Sequence, residues 1–385
     1  MTAPLIVGGG KASLLYAGLC RLCKQRQGER PSQRGAASYL RFRRLQVTHF
    51  ERLPQPGGYS IERLSSTIRA ALPQGLALRV VQCPTPGHAA FWLLEGLRTA
   101  IGCRGEVNHI LGDVHYVALG LPGQRTILTV HDLNHLDRLR GWRKILFRWL
   151  YFSLPLRRCR VVTAISEQTR QRLVELFPFV AQKVTVIPDC VPSGFEPNPK
   201  PFNAACPRLL QVGTAPHKNL ERVAQALKGE RCVLHVVGRL TPRQRQLLDD
   251  LRIRYENGVD LSDEELLRAY EEADLVVFVS LAEGFGLPVL EAQAIGRPVV
   301  TSDLSPMRDV AGGAACLVDP RNVDSIRAGI RRVIDDADYR EALIAKGYEN
   351  VKRYAPQVIA EQYAELYDRV VAEGAWAGSC HARSR

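Results

Sequence analysis

This sequence is short of three things, and each shortage removes a class of protein. Long apolar runs are missing: the longest purely apolar stretch near the middle of the chain is Leu275 to Val279, and Ser280 ends it. A bilayer-spanning helix needs roughly 18 or more apolar residues, so no segment reads as one. Cysteine is sparse, ten in 385 residues, too few for a disulfide scaffold. Cys83, Cys190, Cys232 and Cys316 stand beside apolar runs and read as buried thiols in a reducing cytosol. Cys20 and Cys23 form one CxxC, with no second pair or histidine cluster to complete a zinc site. Acid is the third shortage: 39 Asp and Glu face 52 Lys and Arg, a net charge of +13. Nine of those bases and a single acid, Glu29, fall within residues 1–44. The rest of the chain is nearly balanced, so the basic total is a tail effect and no nucleic-acid partner is expected. Ala12 to Cys20 is a short apolar run with little positive charge before it and no small-x-small site after it, which argues against a secretory signal.

What is present reads as an ordinary globular chain, 46% hydrophobic and 24% charged. At about 150 residues per domain its length predicts two domains. Residues 1–44 lack sustained periodicity and read as a basic, disordered extension. From Leu45 onward, short β-branched and apolar runs alternate with helical stretches. Thr126 to Val130 and Leu275 to Val279 are nearly continuous in apolar or β-branched residues, as strands buried on both faces tend to be. Alternation of this kind implies parallel βαβ units. A stretch with prolines at 188, 192, 197, 199, 201 and 207 interrupts it and reads as a linker. The expected fold is α/β, with two doubly wound Rossmann-like domains facing a central cleft. The expected divisions are the extension 1–44, a first domain 45–200, a second domain 201–355, and a C-terminal helix and tail 356–385. Two charged helices, near Val323 to Ala337 and Pro356 to Glu373, are expected to finish the second domain.

The most informative string is Ser280-Leu-Ala-Glu-Gly-Phe-Gly-Leu-Pro-Val-Leu-Glu291. A buried strand runs into a loop, and Pro288 opens a helix, a position where proline pre-sets φ. Gly284 and Gly286 let a ligand approach the backbone closely, and the free amides of a helix start favour a phosphate. Glu283 in the loop and Glu291 one turn into the helix are placed to contact two separate parts of one extended ligand. Taken singly, each would be a surface or first-turn acid. Together beside a phosphate site they suit a sugar–phosphate–ribose ligand. In Val212-Gly-Thr-Ala-Pro-His-Lys-Asn219, Gly213 is expected to clear space for a ligand and Lys218 to meet phosphates as a point charge. Arg239, again after a strand, reads equally as a donor-site cation or a surface arginine.

Glu283 and Glu291 match an E-x7-E pattern within EGFGLPVLEAQAIGRPVVTS, and Asp309-Val-Ala-Gly312 and Val318-Asp-Pro320 follow in order. On these residues the second half resembles the donor-binding domain of the retaining glycosyltransferases of family 4, which have the GT-B fold. The resemblance covers about 208–325. It extends more loosely over 45–205 through Gly57-Gly58, His131-Asp132 and Thr163-Ala-Ile-Ser166. It implies that Glu283 binds hydroxyls of the transferred sugar, assisted by loop amides around Gly284, Phe285, Gly286 and Leu287. It implies that Glu291 holds the ribose, that Lys218 neutralises the diphosphate, and that His131 lies near the anomeric centre. Gly57, Gly58 and Asp132 then border the cleft. The family often has arginine directly after the residue that is Gly213 here, and this chain has Thr214, so Arg239, or Lys218 with helix amides, is left to supply that charge. The resemblance implies chemistry without a metal or other cofactor. The one D-x-D, Asp336-Ala-Asp338, is read as solvated surface in a charged helix.

The implied function is transfer of a sugar from a nucleotide-diphospho-sugar, with retention, to a lipid-linked glycan or cell-surface polysaccharide. The rivals are a non-catalytic sugar-nucleotide-binding protein on a GT-B scaffold and a GT-B epimerase. Residues 138–160 carry eight bases and no acid, interleaved with Trp142, Phe147, Trp149, Tyr151 and Phe152. This segment reads either as a peripheral contact with an anionic membrane or as a domain-packing helix. The expected location is cytoplasmic, at the inner face of the membrane if that contact is made.

Overall fold

Twelve short strands, most of them β-branched, build two parallel sheets in the computed structural model, which describes residues 45–53, 59–85, 91–133, 136 and 141–381. The first sheet contains β1 (Leu45–Arg52), β2 (Leu76–Cys83), β3 (Val107–Ile110), β4 (Thr126–Val130), β5 (Val161–Ala164) and β6 (Val184–Val186), in the order β2-β1-β3-β4-β5-β6. The second contains β7 (Arg208–Val212), β8 (Val233–Val237), β9 (Tyr255–Gly258), β10 (Leu275–Phe278), β11 (Val299–Ser302) and β12 (Cys316–Val318), in the order β12-β11-β10-β7-β8-β9. This is the doubly wound pair that the alternation predicts. The central strands β4, β10 and β11 are buried at every position, which is why they read as unbroken apolar runs rather than alternating ones.

Local signals account for many boundaries. Ser166 accepts a hydrogen bond from the Thr169 amide and starts the helix Glu167–Leu176. Ser262 and Glu265 form the expected reciprocal capping box before Asp263–Glu272, and Thr241 with Gln244 does the same before Pro242–Asp250. Three features differ from expectation. β9 has weak strand chemistry and forms because Val236 and Val237 of β8 pair with Asn257 and Gly258. A further helix, Ala337–Val351, follows Val323–Asp335. Asp336 therefore lies between two helices, accepting from the Tyr339 amide as an N-cap, and is exposed there, as is Asp338.

The third difference concerns the last helix, Pro356–His381, which leaves the second domain. Ile359, Tyr363, Leu366, Tyr367 and Val370 form one stripe at helical spacing, and all are buried against Leu45, Val47, Val107 and Ile127 of the first sheet. A buried polar chain sits at this junction. The Tyr367 hydroxyl meets His49 Nε2 at 2.9 Å and His109 Nδ1 at 2.8 Å, and His109 Nε2 meets Thr129 at 2.7 Å. Among the described residues, no helix is long and apolar enough to cross a membrane. Cys83, Cys103, Cys159, Cys190, Cys206, Cys232 and Cys316 are free, and Cys83, Cys190, Cys232 and Cys316 are buried as expected.

Candidate functional site

The strand β10 delivers the loop 279–286, and the helix Leu287–Ile295 leaves it. Gly286 precedes that helix with φ +108°, a conformation that favours glycine. Gly284 has a different reason to be glycine: a Cβ there would lie 2.8 Å from the carbonyl oxygen of His131. The loop is thus pressed against the C-terminal end of the first sheet. It is also bonded there, because the hydroxyls of Ser166 and Thr169 donate to the Gly284 carbonyl at 2.7 and 3.3 Å. The E-x7-E segment of one domain and the strand ends of the other therefore meet across a short distance.

Between them lies a cavity of about 320 Å³ lined by His131, Asp132, Lys218, Glu283, Glu291 and the loop residues Gly284 to Leu287. Lys218 ends a tight turn, Pro216–Lys218, and Asn219 follows it at φ +63°. The Asn219 amide holds the carbonyls of Val279 and Pro320, and Gln211 holds the carbonyl of Lys218. The Lys218 ammonium, fixed in this way, donates to Glu283 at 2.7 Å and sits 4.7 Å from the centre of the Phe278 ring. Gly213 lies at φ +95°, and a Cβ on it would meet the Lys218 stem at 2.9 Å. It makes room for the lysine side chain itself.

Glu291 is 3% exposed. Its Oε2 accepts from the Tyr270 hydroxyl at 2.6 Å, and its Oε1 accepts from Arg63 at 2.7 Å. Burial raises its carboxyl above the usual range, while the Arg63 charge and the Tyr270 bond oppose that rise. Arg63 comes from the helix Tyr59–Ala71 of the first domain, so this pair also spans the two halves. His131, buried just after β4, has Nδ1 4.0 Å from Asp189, and its Nε2 has no hydrogen-bond partner in the protein. Burial pushes the Asp189 carboxyl up to about 6, opposed by the charge of His131.

The expected residues are therefore gathered in part. His131, Asp132, Lys218, Glu283 and Glu291 converge with Gly284, Phe285, Gly286 and Leu287. The Phe285 ring is itself buried against Tyr354. Arg239 is placed apart: its side chain is 76% exposed, paired with Asp260 at 2.8 Å, and does not line the cavity. Solvation and that surface acid hold it outward. Gly57 and Gly58 lie outside the described residues, as do Arg138 and Arg140. Arg63, Asp189 and Tyr270 were not expected. Asp189 sits within Pro188-Asp-Cys-Val-Pro192, where prolines mark a linker. Among the described residues there is no group of three or more His, Cys, Asp or Glu that could hold a metal ion.

Comparison with known proteins agrees with this geometry. Residues 107–194 match the family described as Glycosyltransferase Family 4, and residues 195–350 match Glycosyl transferases group 1. The chain is similar to the O-antigen chain mannosyltransferase B of Escherichia coli, 28% identical over 309 residues that cover 72% of this chain and 79% of that protein. It is likewise 28% identical over 312 residues to the MMP alpha-(1->4)-mannosyltransferase of Mycolicibacterium hassiacum, covering 72% and 74%. Among solved structures, the sucrose-phosphate synthase of Thermosynechococcus elongatus superposes with a TM-score of 0.65 at 17% identity, over 86% of this chain and 100% of that one. The Anabaena protein HepE, in complex with UDP and glucose, superposes with a TM-score of 0.67 at 15% identity, over 84% and 100%. These likenesses establish a GT-B fold.

Proposed function

This chain belongs to glycosyltransferase family 4, and on that premise we propose that it moves a hexosyl group from a nucleoside-diphosphate sugar to a membrane-bound glycan, with retention at the anomeric carbon. The observation that carries this reading is the convergence of Lys218, Glu283 and His131 on one cavity between the sheets. The leaving nucleoside diphosphate develops negative charge, and a fixed cation in a partly desolvated cleft stabilises that charge. Lys218 is such a cation, 18% exposed and immobilised from its carbonyl to its ammonium. Glu283, beside it, accepts hydroxyls of the transferred sugar in exchange for its bond to Lys218. Glu291 accepts ribose hydroxyls. His131 presents Nε2 toward the reacting end of the sugar. The two relatives described above bear the names of mannosyltransferases, so mannosyl donors come first in the test. That test is a donor-hydrolysis screen across UDP-, GDP- and ADP-sugars, mannosyl donors included, in which Lys218→Ala abolishes any hydrolysis found. Hydrolysis that survives Lys218→Ala would remove the lysine from the site.

The acceptor part of the reading rests on one surface. Trp142, Ile145, Leu146 and Trp149 follow i, i+3, i+4, i+7 spacing and are 51–71% exposed. The bases of the same segment are used differently from what the sequence implies. Arg148 donates to the Leu176 carbonyl and lies over Phe177. Arg157 stacks on Phe179. Arg158 donates to the Ala118 and Leu121 carbonyls, and Arg160 pairs with Glu373. Attachment to a lipid surface is therefore carried by the apolar row, with charge in support. Cosedimentation with vesicles of mixed neutral and anionic lipid follows from this. Binding should survive 1 M salt in large part and be lost in a Trp142→Ser, Trp149→Ser variant. Binding that vanishes with salt but ignores the tryptophans would reverse that assignment.

A further inference from the structure

Two of the acid–base pairs around the cleft bear on how a diphosphate is received. Among the residues lining the cavity, Lys218 and Arg63 are the Lys and Arg side chains. Each is held by one carboxylate of the E-x7-E motif: Lys218 by Glu283 at 2.7 Å and Arg63 by Glu291 at 2.7 Å. Glu283 and Glu291 are the groups read above as acceptors for sugar and ribose hydroxyls. A donor that satisfies them with hydroxyls releases both cations together, next to the phosphates that link the sugar to the ribose.

The geometry of Arg63 suits that second task. Its side chain is 10% exposed, so a charge there is poorly screened. Its guanidinium lies 5.5 Å from the centre of the Phe195 ring, whose face limits where the plane can go. Nη2 is spent on Glu291 and Nη1 on Asp263 at 3.2 Å, but the buried Nε has no hydrogen-bond partner. A guanidinium presents a planar fork that matches two phosphate oxygens at once. Neither neighbouring loop offers a substitute. Thr214 donates its hydroxyl to the Arg239 carbonyl at 2.8 Å, and Arg239 is turned to solvent against Asp260.

We propose that Arg63 is a donor-site residue contributed by the first domain, exchanging its bond to Glu291 for the diphosphate of the bound donor, beside Lys218. The inference rests on the donor-site reading above and adds a consequence. The diphosphate is gripped from both domains, so donor binding itself holds the cleft closed.

The test is calorimetry on the full chain with UDP, GDP and ADP, each alongside its nucleoside. The unmodified protein must bind at least one diphosphate. If it binds none of them, the donor-site reading fails and this inference with it. Given binding, Arg63→Gln should weaken that diphosphate about tenfold or more, while the nucleoside stays within about twofold. A loss shared equally by nucleoside and diphosphate, a gain in both, or no change would overturn the assignment, since Arg63 would then act on the closed cleft or on the ribose alone. Arg63→Gln leaves Glu291 buried without its cation, so Arg63→Lys is measured in parallel. It keeps the charge and loses the fork, and should weaken the diphosphate several-fold with the nucleoside unaffected. A lysine variant that binds the diphosphate as tightly as arginine would also refute a forked contact.

Discussion

Gly284→Ala is the smallest change that tests the architecture of the cleft. The added Cβ would sit 2.8 Å from the His131 carbonyl oxygen. Ordinary van der Waals contact begins near 3.4 Å, so something must move by about 0.6 Å. His131 is the poorer candidate to move, since it directly follows Val130, whose strand is paired with Ala164 of β5. The loop is the part that yields, and it carries two consequences. The Ser166 and Thr169 hydroxyls lose alignment with the Gly284 carbonyl, at about 0.5–1.5 kcal/mol for each neutral hydrogen bond. With steric strain included, a stability loss of about 1–3 kcal/mol follows. Glu283, the adjacent residue, shifts with the loop, and misplacement approaching 1 Å in a positioning group costs up to about a hundredfold in rate. The expected result is a kcat for donor turnover lowered about tenfold or more, with nucleoside affinity nearly unchanged, because Glu291 lies beyond the loop on a helix anchored by Tyr270. Steady-state kinetics and a thermal melt measure both quantities. Full activity with an unchanged Tm would mean that the Gly284 loop does not press on His131, and the site as described would be wrong.

Two further predictions follow from side chains placed against expectation or away from the cleft. Arg239→Ala should leave donor turnover within about threefold and stability within about 1 kcal/mol, since the side chain is exposed and its partner Asp260 is a surface acid. A tenfold loss in kcat/KM would return Arg239 to the donor site. The buried histidines under the last helix should make the fold acid-sensitive. Burial, assisted by the charge of Arg69, pushes His49 down to about 3, and burial lowers His109 as well. Both are neutral in the folded chain and take up protons near 6.5 once unfolded. Their contribution to stability is therefore intact above about pH 6.5 and declines as pH falls below it, toward 3 for His49, by up to about 1.4 kcal/mol per pH unit for each histidine. Urea titrations of wild type and His49→Gln from pH 8 to 4 check the sign. The variant should gain on wild type as pH falls, and a gap that does not change with pH would refute the buried neutral histidine.

The loop that lines the cavity was legible in the sequence because its chemistry is local. Glu283, the two glycines, Pro288 and Glu291 sit on one strand–loop–helix passage. Each residue type there answers to a backbone need that nine consecutive positions already display. Lys218 was legible for the same reason, and the space that Gly213 leaves is filled by the stem of this lysine, five residues further on. Arg239 shows the limit of that reasoning. A strand end followed by Gly-Arg brings the backbone to the right edge of the sheet, but the direction of a long, flexible side chain is set by its neighbours, and Asp260 is 21 residues away.

Arg63 and Asp189 were illegible for a deeper reason. Arg63 meets Glu291 across 228 positions of chain, and in the sequence it is one base among the polar positions of an amphipathic helix. Asp189 sits among the prolines of a linker and acquires meaning only because the chain leaving β6 passes His131, which follows β4. The final helix obeys the same rule. Its stripe of Ile359, Tyr363, Leu366, Tyr367 and Val370 declares that it packs on something, and periodicity cannot say which sheet. What decides is the unclaimed apolar face of the first sheet, where Leu45, Val47, Val107 and Ile127 need cover and where His49 and His109 need the Tyr367 hydroxyl. The chain therefore crosses between the domains twice, once before β7 and once before Pro356. A site built between the domains inherits residues from both. For this fold, local motifs report how one half holds its ligand, while the groups supplied by the other half become visible only when the two sheets are brought face to face.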